Sequence, residues 1–334
     1  MKNLLHKGLW LLAIGLVSSG SVHAQYAWDV GLHLGGANYL GEMGGKEQPR
    51  RDFIWDLKMN QTRWCFGGFA RRKINRMISI NGGLLYFRIQ GADAWSENPA
   101  RVGRNLNFRN DMLEAYLRGE FTIFQDNDLG GRGKYRKDFR LFGYAGIAGY
   151  YHKPKGQINR QGDFFALQDF DTELAGYGNI GMAIPVGVGF HFTFKRRHRI
   201  GWDFGWRTTF TDYLDDASTI YKDPALMPAG AADWYDQRPY LVGDLDPNTA
   251  GQQVANANGD LVTIPSELQY GWQTSEGPSE QKPNKRGDPT HNDSYLTMTL
   301  TYSYVLKGQS NFYRQRYSWM RGKKRVGRRS RAKF

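Results

Sequence analysis

Long segments of this chain alternate apolar and polar side chains at every second residue, and that period excludes most folds. From Leu296 to Tyr304, Leu296, Met298, Leu300, Tyr302 and Tyr304 alternate with Thr297, Thr299, Thr301 and Ser303. Ile200, Trp202, Phe204, Trp206 and Phe210 share one face of a second segment, while Asp203, Arg207 and Thr209 share the other. In a third, Leu113, Ala115, Leu117, Phe121 and Ile123 alternate with Glu114, Tyr116, Arg118, Glu120 and Thr122. Successive side chains on a strand point to opposite faces, so each segment reads as a strand with one greasy and one polar face. A soluble sandwich also alternates, with its greasy faces turned into a core. Length argues for lipid instead: the segments run about ten residues or more, as a tilted membrane strand must. Trp and Tyr recur toward strand ends, where the membrane interface would lie.

Eight such segments are expected, at 26–34, 61–71, 77–90, 108–124, 139–151, 180–194, 199–211 and 294–306. The connections after the second, fourth and sixth are short; those after the first, third, fifth and seventh are long, the last covering 212–293. Short turns at one end and long loops at the other is the layout of an outer-membrane barrel. An even strand number puts both termini beside the short turns, on the periplasmic side. Pairing the first strand with the last removes the sheet edges that lipid would not tolerate. The expected fold is therefore all-β: a membrane β-barrel of about eight antiparallel strands, with long extracellular loops and a basic periplasmic C-terminal tail.

Export is expected on independent grounds. Lys2 and Lys7 precede an apolar run from Leu9 to Val17, too short to span a bilayer, and Val22-His23-Ala24 resembles a cleavage site. Residues 1–24 read as a signal peptide, 25–306 as the barrel and 307–334 as a tail. No run of 18 apolar residues follows Ala24, so a helical span is not expected. Cys65 is the one cysteine, which leaves no internal disulfide framework. The formal charge of +13 suggests nucleic acid until it is located. Residues 307–334 hold eleven Lys or Arg and no acid, and the signal segment holds two more, so 25–306 is close to neutral. An exported chain meets little nucleic acid. The tail, with Arg314, Arg316, Arg321, Lys323, Lys324, Arg325, Arg328, Arg329 and Arg331, is expected to meet an acidic protein surface, peptidoglycan or anionic lipid head groups. Alternatively its charge only keeps the end soluble.

In this register Asp29, His33, Arg63, Glu114, Arg118, Glu120, His191, Asp203 and Arg207 point inward. An eight-stranded barrel is narrow and filled by side chains, so a salt-bridged plug is the leading expectation and a water channel a lesser one. A sharper alternative makes His33, His191 and Asp203 the acid–base set of a lipid-modifying barrel enzyme, although their spacing matches no motif. In the long loops, Asp244-Leu245-Asp246-Pro247-Asn248 and the cluster Asp212, Asp215 and Asp216 are oxygen donors suited to calcium, with ordinary solvated loop chemistry the alternative. Arg286-Gly287-Asp288 matches an adhesion tripeptide, for which chance is the better account. No cofactor, catalytic residue or resident metal is expected.

Several stretches resemble the PorG-like barrel proteins of Bacteroidota. They are Gly31 to Glu42, with Asn38 and Tyr39; Asn105 to Asp111, with Asn110; and Arg207 to Asp216, with Asp212, Tyr213, Asp215 and Asp216. Arg286-Gly287-Asp288-Pro289 is similar as well. The stretch Thr211–Asp216 is the most specific part, and the likeness covers most of 26–306. The resemblance implies a non-enzymatic outer-membrane subunit of the type IX secretion and gliding apparatus. Such a subunit docks from its periplasmic side onto a ring of PorK- and PorN-like proteins. The 212–293 loop is longer than that family leads one to expect, and the basic tail is not a feature associated with it. A stand-alone surface barrel that binds ligands or adheres through its loops is the other functional expectation.

Overall fold

The computed structural model describes residues 28–41, 43, 57, 59–126, 138–195, 197–228, 230–238, 240, 251–265 and 284–306. Twelve strands lie among them: β1 (Trp28–Leu40), β2 (Arg63–Lys73), β3 (Ile78–Ala92), β4 (Asn107–Asp126), β5 (Asp138–Tyr151), β6 (Pro154–Ile158), β7 (Gln161–Ala166), β8 (Ile180–Phe194), β9 (His198–Thr209), β10 (Gln252–Ala255), β11 (Leu261–Ile264) and β12 (Ser294–Leu306). Eight of them form a ring. β1 pairs with β2, β2 with β3, β3 with β4, β4 with β5, β5 with β8, β8 with β9 and β9 with β12, all antiparallel. β12 then pairs with β1 in unbroken register from Trp28–Leu306 to Leu40–Ser294. The fold is a closed eight-stranded antiparallel barrel.

The barrel is inside out relative to a soluble one. Leu34, Leu300, Met182 and Ile147 are exposed on the outer wall, each at about 60 % or more. Val30, Leu84, Leu117, Phe121, Val186 and Ile200 join them around the circumference. Arg118, Glu120, Asp203 and Arg207, one residue away in sequence from such positions, are 3 % exposed or less. In water that arrangement would leave a large apolar surface unburied and charges desolvated. In a bilayer the outer wall meets acyl chains, and every strand's backbone groups are satisfied by its neighbours. The chain is a membrane barrel of the outer-membrane type.

The two ends differ. At one end 74–77 joins β2 to β3, and 195–197 joins β8 to β9. Asn75 accepts hydrogen bonds from the Met77 and Ile78 N–H groups, a side-chain mimic of a backbone turn. At the other end the connections are long and carry their own structure. A helix, α1 (Pro99–Arg104), lies between β3 and β4. Asn98 caps its first turn and Asn105, left-handed at φ 54°, closes its last. The β6–β7 hairpin extends β4 beyond β5, with Asn110 opposite Pro154. β10 and β11 form a separate hairpin packed on α1 through Val102, Val262 and Ile264.

Strand ends differ from the sequence expectation chiefly at β1, which runs to Leu40 instead of stopping at residue 34. Gly35 and Gly36, just past the expected end, stay in register with Thr299 and Met298. At Gly35 a Cβ would strike the β12 backbone, so the glycine marks close strand approach and not an end. The two hairpins in the long loops were not expected. The expected signal peptide, 1–24, and the expected tail, 307–334, lie outside the described residues.

Candidate functional site

Two polar assemblies stand out: one inside the barrel, one across its loop end. Inside, charges from four strands, β1, β2, β4 and β9, interlock. Asp29 accepts from Arg71 at 3.2 Å and Arg199 at 2.8 Å. Arg71 reaches Glu120 at 2.8 Å, and Arg118 lies between Glu120 and Asp203. Asn81 donates to Glu120 and Tyr144 to Asp203. One layer nearer the loops, Arg207 faces Glu114 at 3.4 Å, and the Tyr295 hydroxyl donates to the same carboxylate at 2.6 Å. Beyond that the lumen turns apolar, with Phe87, Met112, Cys65 and Leu85 fully buried. A desolvated ion is tolerated only when paired and hydrogen-bonded, and these are.

His33 contacts Thr299 and Tyr116 through its two ring nitrogens, at 3.1 and 3.0 Å. His191 is buried against the Phe142 ring, and Asp203 is held by Arg118 and Tyr144. The three were expected to form an acid–base set in one reading; among the described hydrogen bonds none joins any two of them. Arg63 departs from the inward expectation. It sits at the loop end of β2, half-buried, and donates to Gln90 and to the carbonyls of Asn60 and Thr62. There β2 still pairs with β1 through Ala37, but its pairing with β3 begins only at Cys65.

The loop end is closed by the segment after β9. Leu214 and Ala217 are fully buried and pack in one cluster with Tyr39, Phe108 and Tyr295 of the barrel mouth. Asp293, just before β12, holds this segment down: its backbone exchanges hydrogen bonds with Thr209 and Thr211, and its Oδ2 accepts from the Leu214 N–H at 3.0 Å. Asn110 donates to the Leu214 carbonyl and accepts from the Lys153 N–H, joining β4 to two loops. Asn38 donates to Thr62. Tyr213 stacks on Tyr177 with ring centroids 4.8 Å apart. Asp212 is buried beside them.

At the centre of this cap lies Arg286, 1 % exposed. It pairs with Glu173 at 2.7 Å and Asp216 at 3.2 Å, donates to the Asp216 carbonyl, and receives Arg104 on its own carbonyl. Arg104 is fixed in turn by a bidentate pair with Asp93. Three connections thus meet at Arg286, two through its guanidinium and the third through its carbonyl. Asp216 adopts a left-handed φ of 69°, which Asp tolerates better than most residues. A Cβ on Gly287 would lie 2.5 Å from the Ser218 backbone, so glycine is needed there for close approach. The arginine of the adhesion-like tripeptide is therefore a structural pin and not a surface group. Sequence reading singled out the stretch but missed the role, because Glu173 lies 113 residues away.

Protonation in the cap is uneven. Burial raises the Glu173 carboxyl, but Arg286 and the Ser218 N–H outweigh it and hold it below the usual range. Asp216, farther from the same guanidinium, is left raised by its burial. Burial pushes Asp215 up to about 6, against the opposing hydrogen bonds of Tyr39 and Ala217. The Tyr39 hydroxyl lies 2.6 Å from both Asp215 Oδ2 and Asp293 Oδ1. A hydroxyl has one proton to give, so both contacts attract only when one carboxyl is itself protonated. Burial also lowers His152, at the rim of β5, to about 4. No cluster of three His, Cys, Asp or Glu suited to a metal occurs among the described residues. The Asp215 and Asp216 carboxylates are occupied by Tyr39, Thr172, Tyr177 and Arg286, and 244–248 lies outside the described residues.

Among solved structures, the chain is similar to Ail, the attachment invasion locus protein of Yersinia pestis, in complex with the heparin analogue sucrose octasulfate. That match has 8 % identity and a TM-score of 0.32, covering 84 % of this chain and 98 % of that one. It is also similar to the outer membrane protein OprG from Pseudomonas aeruginosa, at 8 % identity and a TM-score of 0.32, over 86 % and 100 %. No curated protein sequence matches it. A family model does, across residues 7–236, from ahead of β1 through most of the loop cap, and the chain belongs to that family, described as "Domain of unknown function (DUF6089)".

Proposed function

We propose that the chain is a non-enzymatic outer-membrane subunit of a type IX protein secretion and gliding apparatus, docking a periplasmic ring of PorK- and PorN-like proteins to the membrane. The observation that carries this reading is the plugged lumen. Asp29, Glu114, Arg118, Glu120, Asp203 and Arg207 are buried in mutual pairs, which suits a rigid post better than a conduit or a catalytic cavity. Trp28 and Leu306 lie side by side at the short-turn end, so the barrel begins and ends there. The PorG-like stretches coincide with the cap: Tyr39, Asn110, Asp215 and Asp216 are among its pinning residues. Purification from native membranes in mild detergent tests the reading. PorK- and PorN-like proteins are expected in the complex, and their absence sinks it.

A second reading, a stand-alone surface barrel acting through its loops, is favoured by the exposed Trp95, Phe165, Leu226 and Tyr240 at the loop end. It requires that removing 220–285 abolish function while removing 307–334 does not. The anchoring reading requires the reverse.

A further inference from the structure

The outward face of four adjacent strands carries charge in only one place. Along β2, β1, β12 and β9 the outward positions are Trp64, Phe66, Gly68 and Ala70; Trp28, Val30, Leu32 and Leu34; Leu296 to Leu306 at every second residue; and Ile200 to Trp206 likewise. No carboxylate interrupts them. The exceptions are Arg72 and His198, both in the last row at the short-turn end, joined by Arg197 from the adjoining turn.

Each of these basic side chains is seated on an aromatic ring or hydroxyl. The Arg72 guanidinium lies 5.5 Å from the Trp28 ring centre. Arg197 donates to the Tyr304 hydroxyl at 2.9 Å, and His198 contacts the Tyr302 hydroxyl at 2.8 Å. Register sets them on either side of one seam: Arg72 pairs with Trp28, Trp28 with Leu306, and His198 with Tyr304, so Arg72 and His198 are three strand spacings, about 14 Å, apart and reach toward each other only by their side chains. Trp28 and Tyr302 remain nearly half exposed, so the shelf is open outward. Immediately above it, Leu32, Leu300 and Ile200 are exposed apolar wall.

We propose that Arg72, Arg197 and His198, held over Trp28, Tyr304 and Tyr302 at the β1–β12 seam, bind the head group of an anionic phospholipid of the phosphatidylglycerol type in the inner leaflet. A ligand there must offer negative charge at the interface and an acyl chain against Leu32 and Leu300. A lipid does both, whereas a soluble polyanion would leave the apolar wall uncovered. This inference goes beyond the anchoring reading and does not depend on which protein partner is bound.

The test is native mass spectrometry of the full chain released from micelles containing equal phosphatidylglycerol and phosphatidylethanolamine. Preferential retention of phosphatidylglycerol is expected, weakening at high salt. Arg72→Gln and Arg197→Gln should each lower it about fivefold, while phosphatidylethanolamine retention stays unchanged. Heat-modifiable gel mobility confirms that each variant still closes its barrel. Arg72→Lys with Arg197→Lys, which keeps the charge, should retain the preference and guards against a folding defect. Equal retention of the two lipids by the wild-type chain overturns the proposal. So does a preference that survives both Gln substitutions but vanishes when 307–334 is deleted, which would place the site in the tail.

Discussion

Replacing Arg286 with Ala removes one buried cation and strands two buried carboxylates. Glu173 and Asp216 sit 2.7 and 3.2 Å from the guanidinium, each at 2 % side-chain exposure or less. Truncating one partner of a buried pair typically costs about 3–5 kcal/mol, because the remaining charge keeps its desolvation penalty. Here Glu173 retains the Ser218 and Thr219 N–H groups, each at 3.0 Å, so the lower end, about 3 kcal/mol, is the reasonable figure. The loss falls on the loop cap, since no barrel strand contributes to the pairs. Amide hydrogen exchange across 214–221 reads it directly. A drop of about 3 kcal/mol in local opening free energy speeds exchange there by roughly two orders of magnitude. Heat-modifiable mobility of the barrel should not change. Arg286→Lys, which keeps charge but loses the planar fork, should fall between the two. If exchange in 214–221 is unaltered in the Ala variant while the protein remains folded, Arg286 is not the pin and the account of the cap is wrong.

Three further outcomes are expected. Asp215 is raised from 3.8 to about 6, so its contribution to cap stability is full below the lower value and is lost as pH rises through the upper, a span worth about 3 kcal/mol. Asp215→Asn should flatten the rise in 214–221 protection between pH 7 and 5, after correction for intrinsic exchange. It should also lay bare the opposite trend from His152, whose lowered value makes acidification below about 6.5 unfavourable. Leu300→Arg places a charge on the lipid-facing wall and should destabilise the barrel in bilayers by about 2–4 kcal/mol in urea titration if it lies near the midplane. Arg207→Met alone should cost about 3–5 kcal/mol, whereas the double change with Glu114→Met should cost clearly less than the two singles summed; additive losses would show that the two groups are not paired.

Much of the barrel was legible because lipid imposes so strict a pattern. A strand wall between acyl chains and a packed lumen has to alternate, and Leu296–Tyr304 does so without a break. Inward charges followed from the same parity, and Asp29, Glu114 and Arg118 needed no further signal. Legibility fades where parity stops. Arg63 sits at a strand end, past the last pair between β2 and β3. Arg71, Arg140 and Arg199 were not singled out from the sequence, although all three point into the lumen network. The cap was legible only as unusual residues: Asp215, Asp216 and Arg286 stood out, but their partners Tyr39, Glu173 and Thr172 come from distant segments. Contacts of that range have no periodicity to betray them. The two hairpins were hidden for a related reason: β10 and β11 span four residues each, too few to display a repeat.

The seam between β1 and β12 sets a condition on how the molecule can be made. His33 and Thr299, bonded across it, are 266 positions apart. Until the final strand is synthesised and delivered, the nascent sheet has two raw margins whose N–H and C=O groups find neither water nor a neighbour in the hydrocarbon layer. A chain shortened by that one strand is therefore not most of a barrel. It is an unclosed ribbon with no stable place in the bilayer, so entry into the hydrocarbon layer and closure of this seam go together.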